Sequence, residues 1–250
     1  MKKLLVLKNI EREGPGLFLK IAKEKGFLPE IYNLSLGEKL PEPKKDDLIL
    51  IMGGPMSVRD INNEKYFWLR EETYFLKRAI ENQISIIGVC LGAQLLAHVL
   101  GGKIERLKDE SNKENKPELG WSEISSIEEK SNEKISLSIK GPLKVLHWHG
   151  DRIILPPQAK LLASSNRCRE QLFKVGESIY GLQFHVETEG GMTSDWIKND
   201  KKFIISGLGK KGQKILKNQC CKFESSTLNE RILFINKILE KIIEHKKTSL

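Results

Sequence analysis

Residues 86–94 read Ile-Ile-Gly-Val-Cys-Leu-Gly-Ala-Gln, an apolar run that stops at a thiol and continues as a helical pattern. The β-branched residues before Cys90 predict a buried strand, and apolar residues recur at helical spacing from Leu91 to Val99. Cys90 therefore occupies a sharp strand-to-helix turn, where the positive end of the helix dipole favours its thiolate form. The alternative is that Cys90 is a small buried hydrophobic residue at the end of a strand.

Strand-like runs separated by helical patterns recur along the chain. They lie at residues 4–7, 28–34, 48–52, 84–89, 143–147 and 179–186. This alternation predicts an α/β fold of three layers, with a mostly parallel, twisted sheet flanked by helices. Because polar, turn-rich residues precede antiparallel strands around Trp121, we expect the sheet to be mixed.

Helical patterns occupy residues 15–26, 64–82 and 193–205, and a last amphipathic helix follows Thr227. The apolar face of that last helix needs a covering surface. We therefore predict one domain over residues 1–205 and a basic, helical C-terminal extension over residues 206–250 that packs on the same domain.

The composition is that of a globular chain without a targeting segment. With 250 residues, 39% of them hydrophobic, the chain can bury one substantial core. The apolar stretch at the N-terminus ends at Lys8, which is too short for a signal peptide or a membrane span. We expect a cytoplasmic protein without membrane contact, and the sequence does not determine its oligomeric state.

The charge of the chain is concentrated at its C-terminal end. Residues 201–250 carry 12 Lys and Arg against 4 Asp and Glu, out of a net charge of +9 for the whole chain. Basic helices without interleaved aromatic residues are typical of a solvated face, so we do not expect nucleic-acid binding.

Two sets of residues bear on metal and disulfide chemistry. The four cysteines form no CxxC pair, which favours reduced thiols over a disulfide framework or a zinc site. His147 and His149 flank Trp148, but the chain offers no third ligand at a telling spacing. We therefore predict that the protein holds no metal and no cofactor.

A cysteine nucleophile needs a base, a group that orients the base, and donors for the oxyanion. His185 and Glu187 lie two apart on a predicted strand, so their side chains leave the same face and can pair. The alternative is a surface His/Glu pair at a strand end. Oxyanion donors are available from the amide of Leu91 and from the glycine turn at residues 53–57, which is otherwise a plain turn.

Four elements in this order resemble the class I (triad) glutamine amidotransferase family, specifically stand-alone members similar to the amidotransferase domain of GMP synthase. The elements are Gly53-Gly54-Pro55 with Ser57, the elbow at residues 88–94, His149-Gly150-Asp151, and residues 181–187. The resemblance covers residues 45–190 and implies a flavodoxin-like fold. Val186 stands where the commonest family form has proline.

The resemblance also implies roles for individual residues. Cys90 would be the nucleophile, His185 the base and acid, and Glu187 the group that orients His185. The oxyanion-hole amides would belong to Gly54 and Leu91, and the amino-acid end of glutamine would be held by Gln94 and by the backbone at Gly150 and Asp151.

The implied activity is hydrolysis of the glutamine side-chain amide, with ammonia passed to an acceptor such as a synthetase. The chain has no phosphate-binding loop of its own, so the acceptor would be a separate enzyme. One alternative is a γ-glutamyl peptidase or hydrolase that acts on γ-glutamyl amides of larger amines. A second is a non-catalytic module that binds a partner, although the intact Cys90, His185 and Glu187 argue against it.

Overall fold

A computed structural model describes residues 2–127 and 141–248. The strands are β1 (Lys3–Lys8), β2 (Leu28–Asn33), β3 (Leu48–Ile51), β4 (Ser85–Val89), β5 (Lys103–Arg106), β6 (Glu118–Ser126), β7 (Leu143–His149), β8 (Asp151–Ile154), β9 (Ala159–Ser165), β10 (Leu172–Val175) and β11 (Ile179–Leu182). The helices are α1 (Leu17–Glu24), α2 (Trp68–Glu81), α3 (Leu91–Val99), α4 (Met192–Asn199), α5 (Lys201–Leu208), α6 (Gly212–Phe223) and α7 (Leu228–Thr248), besides three short 3₁₀ turns.

Nine of the strands form one mixed sheet in the order β2-β1-β3-β4-β11-β10-β9-β6-β7. The strands from β2 to β11 pair in parallel, and those from β11 to β7 pair antiparallel. A separate antiparallel pair joins β5 to β8. The predicted three-layer α/β fold with a largely parallel sheet is confirmed.

Helices cover both faces of the sheet, because its parallel strands are apolar on both sides. In β1, Leu4 and Val6 belong to the core that includes α1 and α7, whereas Leu5 and Leu7 belong to the core that includes α2 and α3. The inner parallel strands β1, β3, β4 and β11 are buried between these helical layers, whereas β2 at the edge is partly exposed. Their carboxyl ends therefore meet at one edge, where ligand sites of α/β sheets form.

The C-terminal helices pack on this domain. Helix α7 buries Ile235, Ile238 and Ile242 in the same core as α1, and α4 to α6 pack around Trp121 and Trp148. The predicted domain boundary between residues 205 and 206 falls inside α5. Among the described residues, no helix is long and apolar enough to cross a bilayer.

Two predicted elements differ from the observed ones. The helix expected over residues 193–205 is divided at Asp200, whose carboxylate accepts hydrogen bonds from Arg12 Nη2 at 2.7 Å and Trp148 Nε1 at 3.0 Å. The strand expected over residues 179–186 ends at Leu182. The contacts of the Asp200 side chain divide the helix. The early end of the strand accompanies a change of partner, because His185 pairs with β7.

Candidate active site

Cys90 sits at the turn between β4 and α3 with φ 52° and ψ −107°, in the left-handed region that non-glycine residues rarely adopt. Its amide donates to Leu182 O at 2.7 Å, and its carbonyl accepts from Gln94 N at 3.1 Å. Gly88 and Gly92 make this turn possible. A Cβ atom on Gly88 would lie 2.6 Å from the Gly92 backbone, so the elbow admits no side chain there.

His185 and Glu187 pair directly. His185 Nδ1 lies 2.7 Å from Glu187 Oε1, and both side chains are 1% exposed. The two residues lie beyond β11, not within a regular strand as the sequence predicted. His185 instead exchanges backbone hydrogen bonds with Leu146 of β7, at 2.8 and 3.2 Å, which fixes the direction of its imidazole.

The thiol and the imidazole meet in a dry environment. The Cys90 thiol and the His185 ring are close enough for each to shift the pKa of the other, and Cys90 Sγ lies 3.8 Å from Trp148 O. The ring of Trp196 packs edge-on against His185, with centroids 4.8 Å apart. Water is therefore excluded from most of the contact.

Burial and neighbouring groups shift the pKa values of Cys90 and His185 in opposite directions. Burial raises the pKa of the Cys90 thiol, and the interaction with His185 opposes that rise. Burial alone would lower the pKa of His185, but the Glu187 carboxylate and the contact with Cys90 raise it well above its usual value. Glu187 thus stabilises the imidazolium that forms when His185 takes the thiol proton. Burial of Cys90 therefore opposes the effect of the helix dipole on the thiol.

A pocket of about 240 Å³ opens beside Cys90. All five of the predicted oxyanion and substrate residues line it, namely Gly54, Leu91, Gln94, Gly150 and Asp151. The side chains of two are already bonded. Gln94 Nε2 donates to Gln183 Oε1 at 3.1 Å, and the Asp151 carboxylate accepts two bonds from Arg59 Nη2 at 2.8 and 2.9 Å.

Comparison with known proteins identifies the family. The model of the family "Glutamine amidotransferase class-I" matches residues 22–203. The chain belongs to the class I glutamine amidotransferase family. It is 30% identical over 202 residues to the glutamine amidotransferase-like protein YfeJ of Salmonella typhimurium, covering 80% of this chain and 81% of that one.

This class I family member is also similar to a subunit of a known enzyme and to a solved structure. It is 33% identical over 150 residues to one subunit of the glutamine-hydrolyzing GMP synthase of Saccharolobus solfataricus, covering 59% of this chain and 71% of the relative. The crystal structure of a glutamine amidotransferase from Thermotoga maritima superposes with a TM-score of 0.80 and 26% identity, covering 97% and 98% of the two chains. The class I fold therefore extends through the C-terminal helices.

Sequence reasoning missed a buried polar cluster beside the class I site. Glu118 Oε2 lies 3.2 Å from His149 Nε2, and Glu118 Oε1 lies 3.6 Å from His147 Nδ1. The antiparallel register of β6 and β7 places Glu118 opposite His149, which supplies the third ligand that the spacing did not reveal. Ligand atoms of the three residues lie within 4.8 Å of one another, as metal binding requires.

Two members of this cluster also form hydrogen bonds with neighbouring groups. Glu118 Oε2 accepts from Gln171 Nε2 at 2.8 Å, and His149 Nδ1 lies 2.9 Å from Asp151 O. Burial lowers the pKa of His147 to about 4, which keeps that ring neutral. The cluster therefore fixes the backbone of residues 149–151 at the pocket.

Glu13 is a second residue that sequence reasoning missed. Its carboxyl lines the catalytic pocket, although it precedes the first helix and lies far from every recognised motif along the chain. Arg59 and Arg106 also approach the pocket through their ion pairs with Asp151. None of the three belongs to a local pattern, so only the tertiary structure locates them.

Proposed function

We propose that the protein hydrolyses the side-chain amide of glutamine through a Cys90 γ-glutamyl thioester and releases ammonia for an acceptor enzyme. The observation that carries the proposal is the 2.7 Å contact between His185 Nδ1 and Glu187 Oε1, next to a thiol at a strained elbow that interacts with the same imidazole. This is the geometry of an activated nucleophile.

The first half of the reaction forms the thioester. His185 takes the Cys90 proton, and the thiolate attacks the amide carbon of glutamine. The amides of Gly54 and Leu91 stabilise the oxyanion, a contribution of about 3–4 kcal/mol per donor to the barrier. As the carbon–nitrogen bond breaks, His185 returns its proton to the nitrogen, which leaves as ammonia.

The second half releases glutamate. Water gives a proton to His185 and its oxygen attacks the thioester carbon, after which the thiol is regenerated by that proton. Throughout, the amino-acid end of the substrate is held at Gln94, Gly150 and Asp151. Because Arg59 already pairs with the Asp151 carboxylate, we assign the contact at residue 151 to its backbone.

The ammonia acceptor is proposed to be a separate synthetase-type enzyme. One similar protein, from Saccharolobus solfataricus, is a single subunit of a glutamine-hydrolyzing GMP synthase, and subunits function with partners. The similarity to YfeJ spans more of this chain than the similarity to that subunit and points to no particular acceptor.

The decisive experiment compares glutamate release from glutamine and from a γ-glutamyl dipeptide. We expect glutamine to be preferred, Cys90→Ala to abolish turnover, and Cys221→Ala, which removes an exposed free thiol, to leave turnover unchanged. Preference for the dipeptide would replace the proposal with the γ-glutamyl peptidase alternative. Absence of turnover with and without candidate synthetases would refute catalysis and leave a partner-binding module.

A labelling experiment tests the nucleophile independently of turnover. An electrophilic glutamine analogue should alkylate Cys90 in preference to Cys168, Cys220 and Cys221, all of which are free thiols. Peptide mapping after a brief exposure measures this selectivity. Even labelling of all four thiols would contradict an activated elbow cysteine.

A further inference from the structure

The loop that carries Glu13 is fixed against the catalytic segment. Leu17 N donates to Glu187 O at 3.0 Å, and a Cβ atom on Gly16, at φ 44°, would overlap that same oxygen. Trp196 Nε1 donates to Arg12 O at 3.3 Å, and Arg12 forms an ion pair with Asp200 at 2.7 Å. Contacts on both sides therefore hold Glu13 in place.

The carboxyl of Glu13 lies at the reacting groups. A Cβ atom on Gly53 would overlap Glu13 Oε2 and would lie 3.3 Å from Cys90 Cβ and 3.4 Å from His185 Cε1. The three side chains therefore converge on one face of the Gly53 backbone. Glu13 is only 6% exposed and lines the pocket that opens at Cys90.

Within the described part of the chain, the Glu13 carboxyl has no hydrogen-bonding or ion-pair partner. The neighbouring guanidinium of Arg12 is engaged by Asp200. Burial of a carboxyl without a partner is unfavourable. The Glu13 carboxyl is instead open to the pocket beside Cys90, where a ligand would meet it.

The charge on Glu13 changes near neutral pH. Burial raises its pKa to about 7; the positive charges of His185 and Arg12 oppose that rise, whereas Glu187 and Asp200 add to it. These charged groups come from the Glu13 loop itself, from the segment after β11 and from the junction of α4 with α5. Above neutral pH the group is a carboxylate that accepts hydrogen bonds.

The position of Glu13 relative to His185 indicates which part of the substrate its carboxylate contacts. Because Nδ1 of His185 is bonded to Glu187, the proton for the leaving group comes from Nε2, and Cε1 is the ring carbon between the two nitrogens. Because Glu13 neighbours Cys90 as well as Cε1, its carboxylate is placed to meet the departing nitrogen where that nitrogen receives its proton. That nitrogen gains positive charge as it is protonated, which a carboxylate stabilises.

We propose that Glu13 is a further catalytic residue that binds the departing nitrogen of the substrate amide, accepting a hydrogen bond from its N–H. The proposal rests on the glutaminase function. Glu13 transfers no proton: His185 supplies the proton to the nitrogen, the carbon–nitrogen bond breaks, and ammonia leaves across the carboxylate. The site thereby favours substrates whose leaving group is an amine over those that release a thiolate.

The test compares glutamine with a γ-glutamyl alkyl thioester in the full-length protein. The leaving group of a thioester departs as a thiolate, which has no N–H and needs no proton. We expect Glu13→Gln to lower kcat/KM for glutamine about 10- to 100-fold and for the thioester less than about threefold. Glu13→Asp should recover part of the loss, and Glu11→Gln, an exposed neighbour, should change neither substrate.

A pH profile gives a second readout. In the wild type, kcat/KM for glutamine should rise as pH increases through about 7, where Glu13 ionises, and Glu13→Gln should lose that rise. Thermal unfolding and alkylation of Cys90 by iodoacetamide establish that the variant keeps its fold and its site. If Glu13→Gln is misfolded, the same comparison is made with Glu13→Asp, which should lower glutamine turnover selectively.

Two results would overturn the proposal. An equal loss on both substrates would mean that Glu13 only supports the fold of the site, and no loss on either would mean that it does not meet the substrate. Failure of the proposed function is distinguishable, because the wild type would then release no glutamate from glutamine, whatever it does to the thioester, and the assignment of Glu13 would fall with it.

Discussion

The guanidinium of Arg231 donates a hydrogen bond to the carbonyl oxygen of Thr188 at 2.6 Å. The same nitrogen, Nη1, donates to Val186 O at 3.0 Å, so Arg231 binds the backbone on both sides of Glu187. Arg231 is fully buried in the last helix, and burial lowers its pKa. A helix outside every recognised motif therefore positions the segment that carries Glu187.

Arg231→Met should destabilise the protein and impair catalysis. It leaves buried carbonyls without donors, so we expect the free energy of unfolding to fall by about 3 kcal/mol or more. Denaturant titration measures this loss, and kcat for glutamine should fall as Glu187 loses its support. Lys241→Met, which breaks an exposed pair with Glu244, should cost less than about 0.5 kcal/mol. A stable Arg231→Met variant with normal kcat would contradict the positioning role.

Glu187→Gln should impair the reaction while leaving the protein folded. The amide cannot stabilise an imidazolium, so the pKa of His185 should fall and kcat for glutamine should drop about 10²- to 10⁴-fold. The pH dependence of kcat measures the shift of the imidazole titration toward lower pH. The matched control is Glu189→Gln, two residues further along. A Glu187→Gln variant with an unshifted profile would show that the carboxylate does not govern His185.

Gly92→Ala tests the packing of the elbow. In an ordinary helix this change favours the helix by roughly 0.5–1 kcal/mol. Here the added methyl would lie 2.8 Å from Ile51 Cβ and would overlap the Ile51 carbonyl, so we expect a net loss of about 1–3 kcal/mol and slower alkylation of Cys90. At Gly14 a Cβ meets nothing within 4 Å, so Gly14→Ala serves as the control. Stabilisation by Gly92→Ala would refute the close approach of α3 to β3.

Glu72 should make stability depend on pH. Burial raises its pKa to about 8, and Asn9 Nδ2 is its hydrogen-bond donor at 3.5 Å. The folded state holds a proton that the unfolded state releases near pH 4.5, so the stabilisation is full below that pH and is lost as pH rises through about 8. The slope is at most about 1.4 kcal/mol per pH unit. Glu72→Gln should flatten the curve of unfolding free energy between pH 5 and 9, and an unchanged curve would contradict a protonated Glu72.

The turn at Cys90, the His185–Glu187 pair and the regular strands and helices could be predicted from the sequence because each depends on residues close together in the chain. The glycines around Cys90 are dictated by the turn that holds it, and the two-residue spacing of His185 and Glu187 suffices for pairing even though both lie beyond the end of β11. Apolar periodicity likewise gave the parallel strands and the amphipathic last helix. These features depend on neighbours within a few positions of the chain.

The sequence by itself determined the α/β fold, the strand-to-helix turn at Cys90 and the pairing of His185 with Glu187, because backbone sterics and apolar periodicity act over short stretches of chain. Only the tertiary structure decided that Glu13 faces Cys90, that Glu118 joins His149, and that Arg231 holds the backbone around Glu187. Each of these contacts joins residues from distant parts of the chain, and sheet register and helix packing bring them together.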